Sequence, residues 1–292
     1  MSRAARLPDF LGIGPGRTGT TWLHDVLEGH AGLPARVKET EFFTTYYANG
    51  IDWYVSHFRH CGDFEHIGEI CPYFGYAVAR DRIYAHIPNC RFLVTFRDPV
   101  ERSYSHYRLM RRYAWARGSF EEALNRNPQI VETTRYATHL ANWFARFGRD
   151  RFLIQLYDDL RADPQRYLDD VTKFIGVPPI TLSESSRLRS DINAVERAPR
   201  NRKLAQNARH LLVRLKSRRA YRVINLLDHL GVWEFCFGRG EVFIPLDAGV
   251  DARVRVRFRD EIEKLEELIG RDLPAWKIPH AERAHPRIAS SA

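Results

Sequence analysis

Phe10-Leu11-Gly12-Ile13-Gly14-Pro15-Gly16-Arg17-Thr18-Gly19-Thr20-Thr21-Trp22-Leu23 decides the fold. Its first four residues read as a short buried strand, and Trp22, Leu23, Val26 and Leu27 recur at helical spacing just beyond. Between strand and helix lies a glycine-rich turn. Glycines let the backbone bend tightly and aim several N–H groups at one point, and the helix N-terminus adds its partial positive charge. Arg17 contributes a full charge, and Thr18, Thr20 and Thr21 contribute hydroxyls. Such a loop suits a phosphate; the plainer alternative is an ordinary strand-to-helix turn.

The loop nearly matches the triphosphatase pattern GxxxxGK[ST], with Gly14 and Gly19 in place but Thr20 where that pattern has the Lys that reaches the β- and γ-phosphates. It is therefore suited to a phosphate and poorly suited to magnesium-assisted γ-phosphoryl transfer. Outward along the chain, Phe92–Phe96 and Phe152–Leu156 are two more apolar runs of strand length, each followed by a helical pattern. Strands alternating with helices predict an α/β fold: a P-loop-type three-layer sandwich with a central parallel sheet and helices on both faces. Ligands bind such sheets at the carboxyl ends of the strands, which places residues 14–21, 97–105 and 157–163 at the site. Arg97 closes the second strand, with Ser103 and Ser105 on the next helix and Arg102 and Arg108 adding charge. This group can hold a second anion by charge-assisted hydrogen bonds, unless Arg97 is consumed by Asp98 or Glu101.

The chain has 292 residues, 44% hydrophobic and 28% charged, which excludes a disordered or fibrous protein. At this length roughly 75% of the unfolded surface is buried without need of disulfides or metal. Cys61, Cys71, Cys90 and Cys236 are scattered and read as free thiols in a reducing compartment, and no Cys/His spacing fits a metal. The formal charge of +9 points to an anionic ligand, nucleic acid, a membrane surface or solubility, without choosing among them. No apolar run is long enough for a membrane span, and Met1–Asp9 has no secretory pattern, so a cytoplasmic protein is expected. The expected organisation is one domain over 1–292: a core of about 8–178, a helical and basic extension of about 179–280, and a frayed tail over 281–292. One long or two shorter amphipathic helices are expected over 203–230, and a last helix from about Asp251 to Ile269.

Gly12–Leu23 followed by Phe92–Tyr107 resembles the sulfotransferases that use 3′-phosphoadenosine 5′-phosphosulfate (PAPS). The first segment is similar to their 5′-phosphosulfate loop. The second is similar to their 3′-phosphate motif, with Arg97 and Ser105 at the family's spacing. Val37–Phe43, Gly50–Tyr54, Gly68–Tyr73, Arg135–Trp143 and the closing Gly270–Trp276 resemble the heparan-sulfate and bacterial carbohydrate-type branch. The resemblance covers roughly residues 8–178 and the last helix; with no signal anchor, a compact length and no disulfide framework, a cytoplasmic bacterial enzyme is expected.

What the resemblance implies is direct transfer of a sulfuryl group from PAPS to an acceptor hydroxyl or amine, with no metal. Arg17 stands where the family places a cation beside the bridging oxygen. Thr18, Gly19, Thr20, Thr21 and Trp22 would serve the 5′-phosphate, Arg97 and Ser105 the 3′-phosphate, and Tyr136 the nucleotide side. Glu39, three residues before Phe42-Phe43, stands where the branch carries its catalytic base; a strand ending at about Val37 would bring it to the mouth of the site. Its alternative is a solvated pair with Lys38. The cytosolic branch uses a His, for which His57, His60, His66 and His106 are candidates outside that branch's motif. Where the heparan-type pattern reads Glu-Lys-Thr-Pro, this chain has Glu69-Ile70-Cys71-Pro72, which lacks the acceptor-side Lys and keeps Glu69 as an acceptor-side or supporting group. No counterpart of the family's later 3′-phosphate segment is evident; Arg200, Arg202 and Lys203 are candidates to replace it.

Arg197–Arg222 holds ten Lys or Arg and no Asp or Glu. It reads as a solvated face, as a rim for PAPS or an anionic acceptor, or as a contact with anionic membrane. The expected function is sulfuryl transfer from PAPS to a hydroxyl of a saccharide, glycolipid or secondary metabolite. The partners expected are a small-molecule or glycan acceptor and no nucleic acid. The alternatives are a kinase-like phosphotransferase, against which Thr20 argues, and a basic nucleic-acid-binding protein, for which no recognition motif is present.

Overall fold

The computed structural model describes residues 6–184 and 197–283; the tail expected to fray lies outside the described residues from 284 onward. Four parallel strands, β1 (Phe10–Gly12), β2 (Gly68–Ile70), β3 (Arg91–Phe96) and β4 (Phe152–Leu156), form one sheet in the order β2-β1-β3-β4. Side chains alternate between its faces. Leu11, Phe92, Val94 and Phe96 enter one core with the helices Ala77–His86, Tyr136–Phe147 and Arg259–Ile269. Phe10, Leu93 and Ile70 enter a second core with Trp22, Leu23, Leu27, Tyr167, Leu168, Val171 and Ile175 of the helices Thr20–Leu27 and Pro164–Ile175. The expected α/β sandwich with helices on both faces is what these residues build.

Two details differ from expectation. β2 carries Gly68 and Glu69, residues of low strand propensity, and its pattern does not announce a strand. It forms because Gly68 lets the Phe10 ring lie against the backbone, where a Cβ would come within 2.2 Å of that ring. The strand expected to end near Val37 is reduced to isolated bridges at Ala31 and Gly32. Pro34, without an N–H to give to a ladder, stands two residues on. Residues 33–46 therefore run as a loop across the carboxyl end of the sheet.

The basic segment forms two helices, Arg202–Ser217 and Tyr221–His229, which with Val232–Phe237 pack Ala205, Ala208, Trp233, Cys236 and Phe237 against Ala114 beyond the Pro99–Arg112 helix. The last expected helix is two, Ala248–Val256 and Arg259–Ile269. All four cysteines are buried and free. No described helix is long and apolar enough to cross a membrane.

A buried ionic network ties the C-terminal helices to the sheet. Asp98 caps the Pro99–Arg112 helix by accepting from the Val100 and Glu101 N–H groups at 2.8 and 3.0 Å. Its other oxygen meets Arg255 at 2.7 Å and also Arg283. Arg255 holds Asp251 at 2.6 Å and donates to the Trp276 carbonyl at 2.6 Å. Removing one partner from such a network strands a charge in the interior. Arg255→Met is expected to destabilise the fold by about 3–5 kcal/mol, read as a lower midpoint in chemical denaturation with an unchanged slope.

Candidate active site

The phosphate loop and the second anion motif meet because β1 and β3 are hydrogen-bonded neighbours, Gly12 opposite Leu93. Their carboxyl ends are side by side. Gly19 begins the Thr20–Leu27 helix at φ +89°, a left-handed conformation that suits glycine, and no side chain caps the helix. Its first N–H groups face the loop. Arg17 also has a positive φ, +80°, which costs a non-glycine residue energy and is held by surrounding structure. Here the guanidinium Nε donates to the Ser105 hydroxyl at 2.9 Å. One hydrogen bond thus joins the two motifs across 88 residues.

The loop is bolted from behind by Arg102. This side chain is 3% exposed and donates to the Gly16 carbonyl at 3.1 Å and to the Thr133 and Thr134 hydroxyls, each at 2.8 Å. Its charge serves the scaffold rather than a ligand-facing surface. Ser103 is buried on the Thr134 hydroxyl at 3.2 Å, so of the two serines Ser105 is the one joined to the phosphate loop. Thr18 is buried, and its hydroxyl closes the loop by donating to the Pro15 carbonyl at 2.8 Å. Trp22 packs edge-on to Tyr167 in the core, which leaves its backbone N–H as the group it can offer. Thr20 and Thr21 are partly exposed at the helix start.

Arg97 lies over the Tyr157 ring at 4.6 Å and donates to Glu101 at 3.1–3.2 Å, which is the pairing considered from the sequence. Glu101 is shared: Arg283 reaches it at 2.9 Å and His280 at 3.6 Å. Burial first, then the neighbouring charges of Arg97, Arg108 and Arg102, push the Arg17 guanidinium down to about 10. That crowding of cations is favourable to an anion placed among them. Tyr136 stacks on Phe96 at 4.6 Å and is buried. Its hydroxyl lacks a hydrogen-bond partner among the described residues, and burial raises its pKa.

The carboxylate side of the site is set by Glu69. This residue is fully buried on β2, directly beside Leu11 of β1. It accepts from the Thr40 N–H at 2.6 Å, the Tyr54 hydroxyl at 2.9 Å and the Tyr73 hydroxyl at 3.2 Å. Burial pushes its carboxyl up to about 7, while those donors pull the other way. Glu69 is therefore the peg on which the 38–42 loop hangs. Next to that peg, Glu39 pairs with Lys38 at 2.7 Å, and the same ammonium lies 3.4 Å from the Thr20 hydroxyl. The base candidate is one ammonium away from the first residue of the phosphate helix. Glu41, at φ +54°, pairs with Lys216 of the basic helix at 2.7 Å. Burial opposes the Lys216 charge, but Glu41 outweighs it, and the Lys216 pKa is raised.

Four histidines were candidates for the base. His57 is buried against the Trp53 carbonyl and the Tyr221 hydroxyl and is pushed down to about 4 by burial and by Arg219. His66 pairs with Asp9, at the opposite end of the sheet from the phosphate loop, and His60 is exposed beside Cys61. Burial, Arg102 and Arg17 push His106 well below the usual range. Arg202 donates to the Ala114 and Ala116 carbonyls past the far end of the Pro99–Arg112 helix, and Arg200 and Lys203 beside it are exposed. That end of the helix is away from Arg97. The sequence pointed to neither the loop-bolting of Arg102, the stacking of Tyr157 nor the reach of Lys216. The Gly14 and Gly19 spacing shows a loop but not what lies behind it.

Residues 7–197 match the family model described as sulfotransferase domain. The human bifunctional heparan sulfate N-deacetylase/N-sulfotransferase 3 is 32% identical over 309 aligned residues, covering 93% of this chain and 31% of that protein. The membrane-associated sulfotransferase kil1 of Dictyostelium discoideum is 34% identical over 140 residues, 44% of this chain and 29% of that one. This chain thus spans about a third or less of the length of these curated relatives. A sulfotransferase structure from Alicyclobacillus acidocaldarius shares the fold, with a TM-score of 0.66, 18% identity and coverage of 93% of this chain and 99% of that one.

A pH test follows from Glu69. Its carboxyl is raised from the ordinary 4.5 to about 7 in the folded protein, so between those values the folded state binds more protons than the unfolded. The stability this group contributes is full below pH 4.5 and is lost as pH rises through 7. Glu69→Gln is expected to flatten that part of the stability profile, measured by denaturant titration across the window. An unchanged slope in the variant would show that Glu69 is ionised throughout.

Proposed function

This chain belongs to the sulfotransferase family, and we propose that it moves a sulfuryl group from PAPS to a hydroxyl of a saccharide, glycolipid or secondary metabolite by direct in-line displacement. The observation that carries this reading is the Arg17–Ser105 hydrogen bond, which brings two anion-binding motifs from separate strands to one place. A donor with a 5′-phosphosulfate and a 3′-phosphate needs two such sites at a fixed separation. An ordinary monophosphate needs one.

The residues present fit that donor. The Gly19–Trp22 N–H groups and the Thr20 and Thr21 hydroxyls would hold the 5′-phosphate at the helix start. Arg97 and Ser105 would hold the 3′-phosphate, with Tyr157 stacked behind Arg97. In the displacement the acceptor oxygen forms a bond to sulfur while the bond from sulfur to the bridging phosphate oxygen breaks. The electron pair leaves with adenosine 3′,5′-bisphosphate. Arg17 would meet the charge that develops on that oxygen, an interaction stronger in the transition state than before it. The acceptor proton goes to the Glu39 carboxylate. Lys38, held between Glu39 and Thr20, would keep that carboxylate turned toward the transfer site. The absence of a Lys after Glu69 favours an acceptor without the dense negative charge of an acidic polysaccharide.

Calorimetric titration is expected to show tight binding of adenosine 3′,5′-bisphosphate, weak binding of adenosine 5′-phosphate, and loss of the tight mode in Arg97→Ala. Preference for ATP with magnesium would overturn the donor assignment. In turnover with PAPS, Glu39→Gln is expected to lower the rate by about 10²–10⁴ while nucleotide affinity stays within error. Near-wild-type turnover would remove Glu39 as the base.

A further inference from the structure

The helices Arg202–Ser217 and Tyr221–His229 carry features that the transfer chemistry does not use. Val223, Leu226 and Leu230 follow one another at offsets of three and four, so they share one side of their helix. They are unpartnered there: Leu226 is 56% exposed and Leu230 is 65% exposed. On the adjoining helices Leu211 is also exposed, as is Phe235 at 53%. The same stretch carries exposed Lys203, Arg214, Arg218, Arg219 and Arg222. Asp228, the acidic residue of that helix, is on the side opposite the stripe by helical angle. Apolar side chains bordered by cations are the pattern of a helix lying in a lipid interface.

We propose that this face docks on an anionic lipid bilayer, with Val223, Leu226, Leu230 and Phe235 entering the headgroup boundary and the surrounding cations meeting lipid phosphates and carboxylates. Charge decides the occupant. A second copy of this chain would bring its own exposed Lys203, Arg214, Arg218, Arg219 and Arg222 against the same five, whereas an anionic lipid surface complements them. Docking here also has a consequence for the site. The same helices hold the loop beside Glu39 through Lys216 on Glu41 at 2.7 Å, and hold the 53–57 segment through Tyr221 on His57 at 3.1 Å and Arg219 on Ser56 at 2.6 Å. The acceptor mouth would lie next to the membrane surface. The docking surface stands independently of the transfer reaction.

The test is flotation of the full chain with phosphatidylcholine vesicles and with phosphatidylcholine–phosphatidylserine vesicles, at low and high salt. Wild-type protein is expected to float with the serine-containing vesicles only, and less so at high salt. Leu226→Glu with Leu230→Glu, and separately Arg214→Glu with Arg218→Glu and Arg222→Glu, are each expected to reduce binding at least about tenfold. Circular dichroism should show both variants folded, and their nucleotide affinity should match wild type. No flotation of folded wild-type protein would overturn the proposal, as would binding by both variants undiminished from wild type. A wild-type dimer by light scattering that Leu226→Glu with Leu230→Glu makes monomeric would assign the face to self-association and overturn it too.

Discussion

The pairing of β1 with β3 is the constraint on which the site depends. Gly12 lies opposite Leu93, and the Ile13 N–H donates to the Leu93 carbonyl at 3.0 Å. Parallel strands in register end on the same side of the sheet, so the loop after one and the helix after the other start from a common edge. Gly14 then passes close to β3, where a Cβ would come within 3.1 Å of the Thr95 nitrogen. The turn has no room to drift, and Arg17 is delivered to Ser105 rather than to solvent.

That placement concentrates positive charge. Burial first, and then the neighbouring Arg97, Arg108 and Arg102, disfavour the Arg17 charge. The protein offsets this in two ways. Arg102 is satisfied by carbonyl and hydroxyl oxygens of the loop and of residues 130–134, and Arg97 by Glu101 and the Tyr157 face. Arg102 is thereby spent on rigidity. Arg97 is held by a partly exposed carboxylate, which an anionic ligand can rival. The distinction between a cation that shapes a site and one that serves it rests on burial and partners, not on residue type.

Much of this was legible in the sequence. Strand, turn and helix around Gly14–Thr21 are local features, and local features leave a periodic trace. β3 and β4 are long enough to show an apolar run. β2 is three residues with a glycine and a carboxylate, and it exists through the packing of Phe10, which no window of sequence contains. Glu69 illustrates the same limit within the site. Its identity gave reason to place it on the acceptor side. Its position as a buried acceptor for Thr40, Tyr54 and Tyr73 comes from chain segments up to 29 residues apart. Ser103 and Ser105, two positions apart on one helix, point to different sides of it, and the partners Thr134 and Arg17 show which is the core serine and which the site serine.

Arg283 reaches Glu101 across 182 residues, and Glu101 is the carboxylate that holds Arg97. Synthesis delivers the chain from its amino end, so both anion-binding motifs emerge early, with their cations crowded and this second partner still unmade. A chain stopped short of Arg283 leaves Asp98 and Glu101 with one cation fewer, so its edge is less positive and Glu101 is left more fully to Arg97. Completion of the chain through Arg283 is then the moment at which this edge gains its last cation and Glu101 becomes shared.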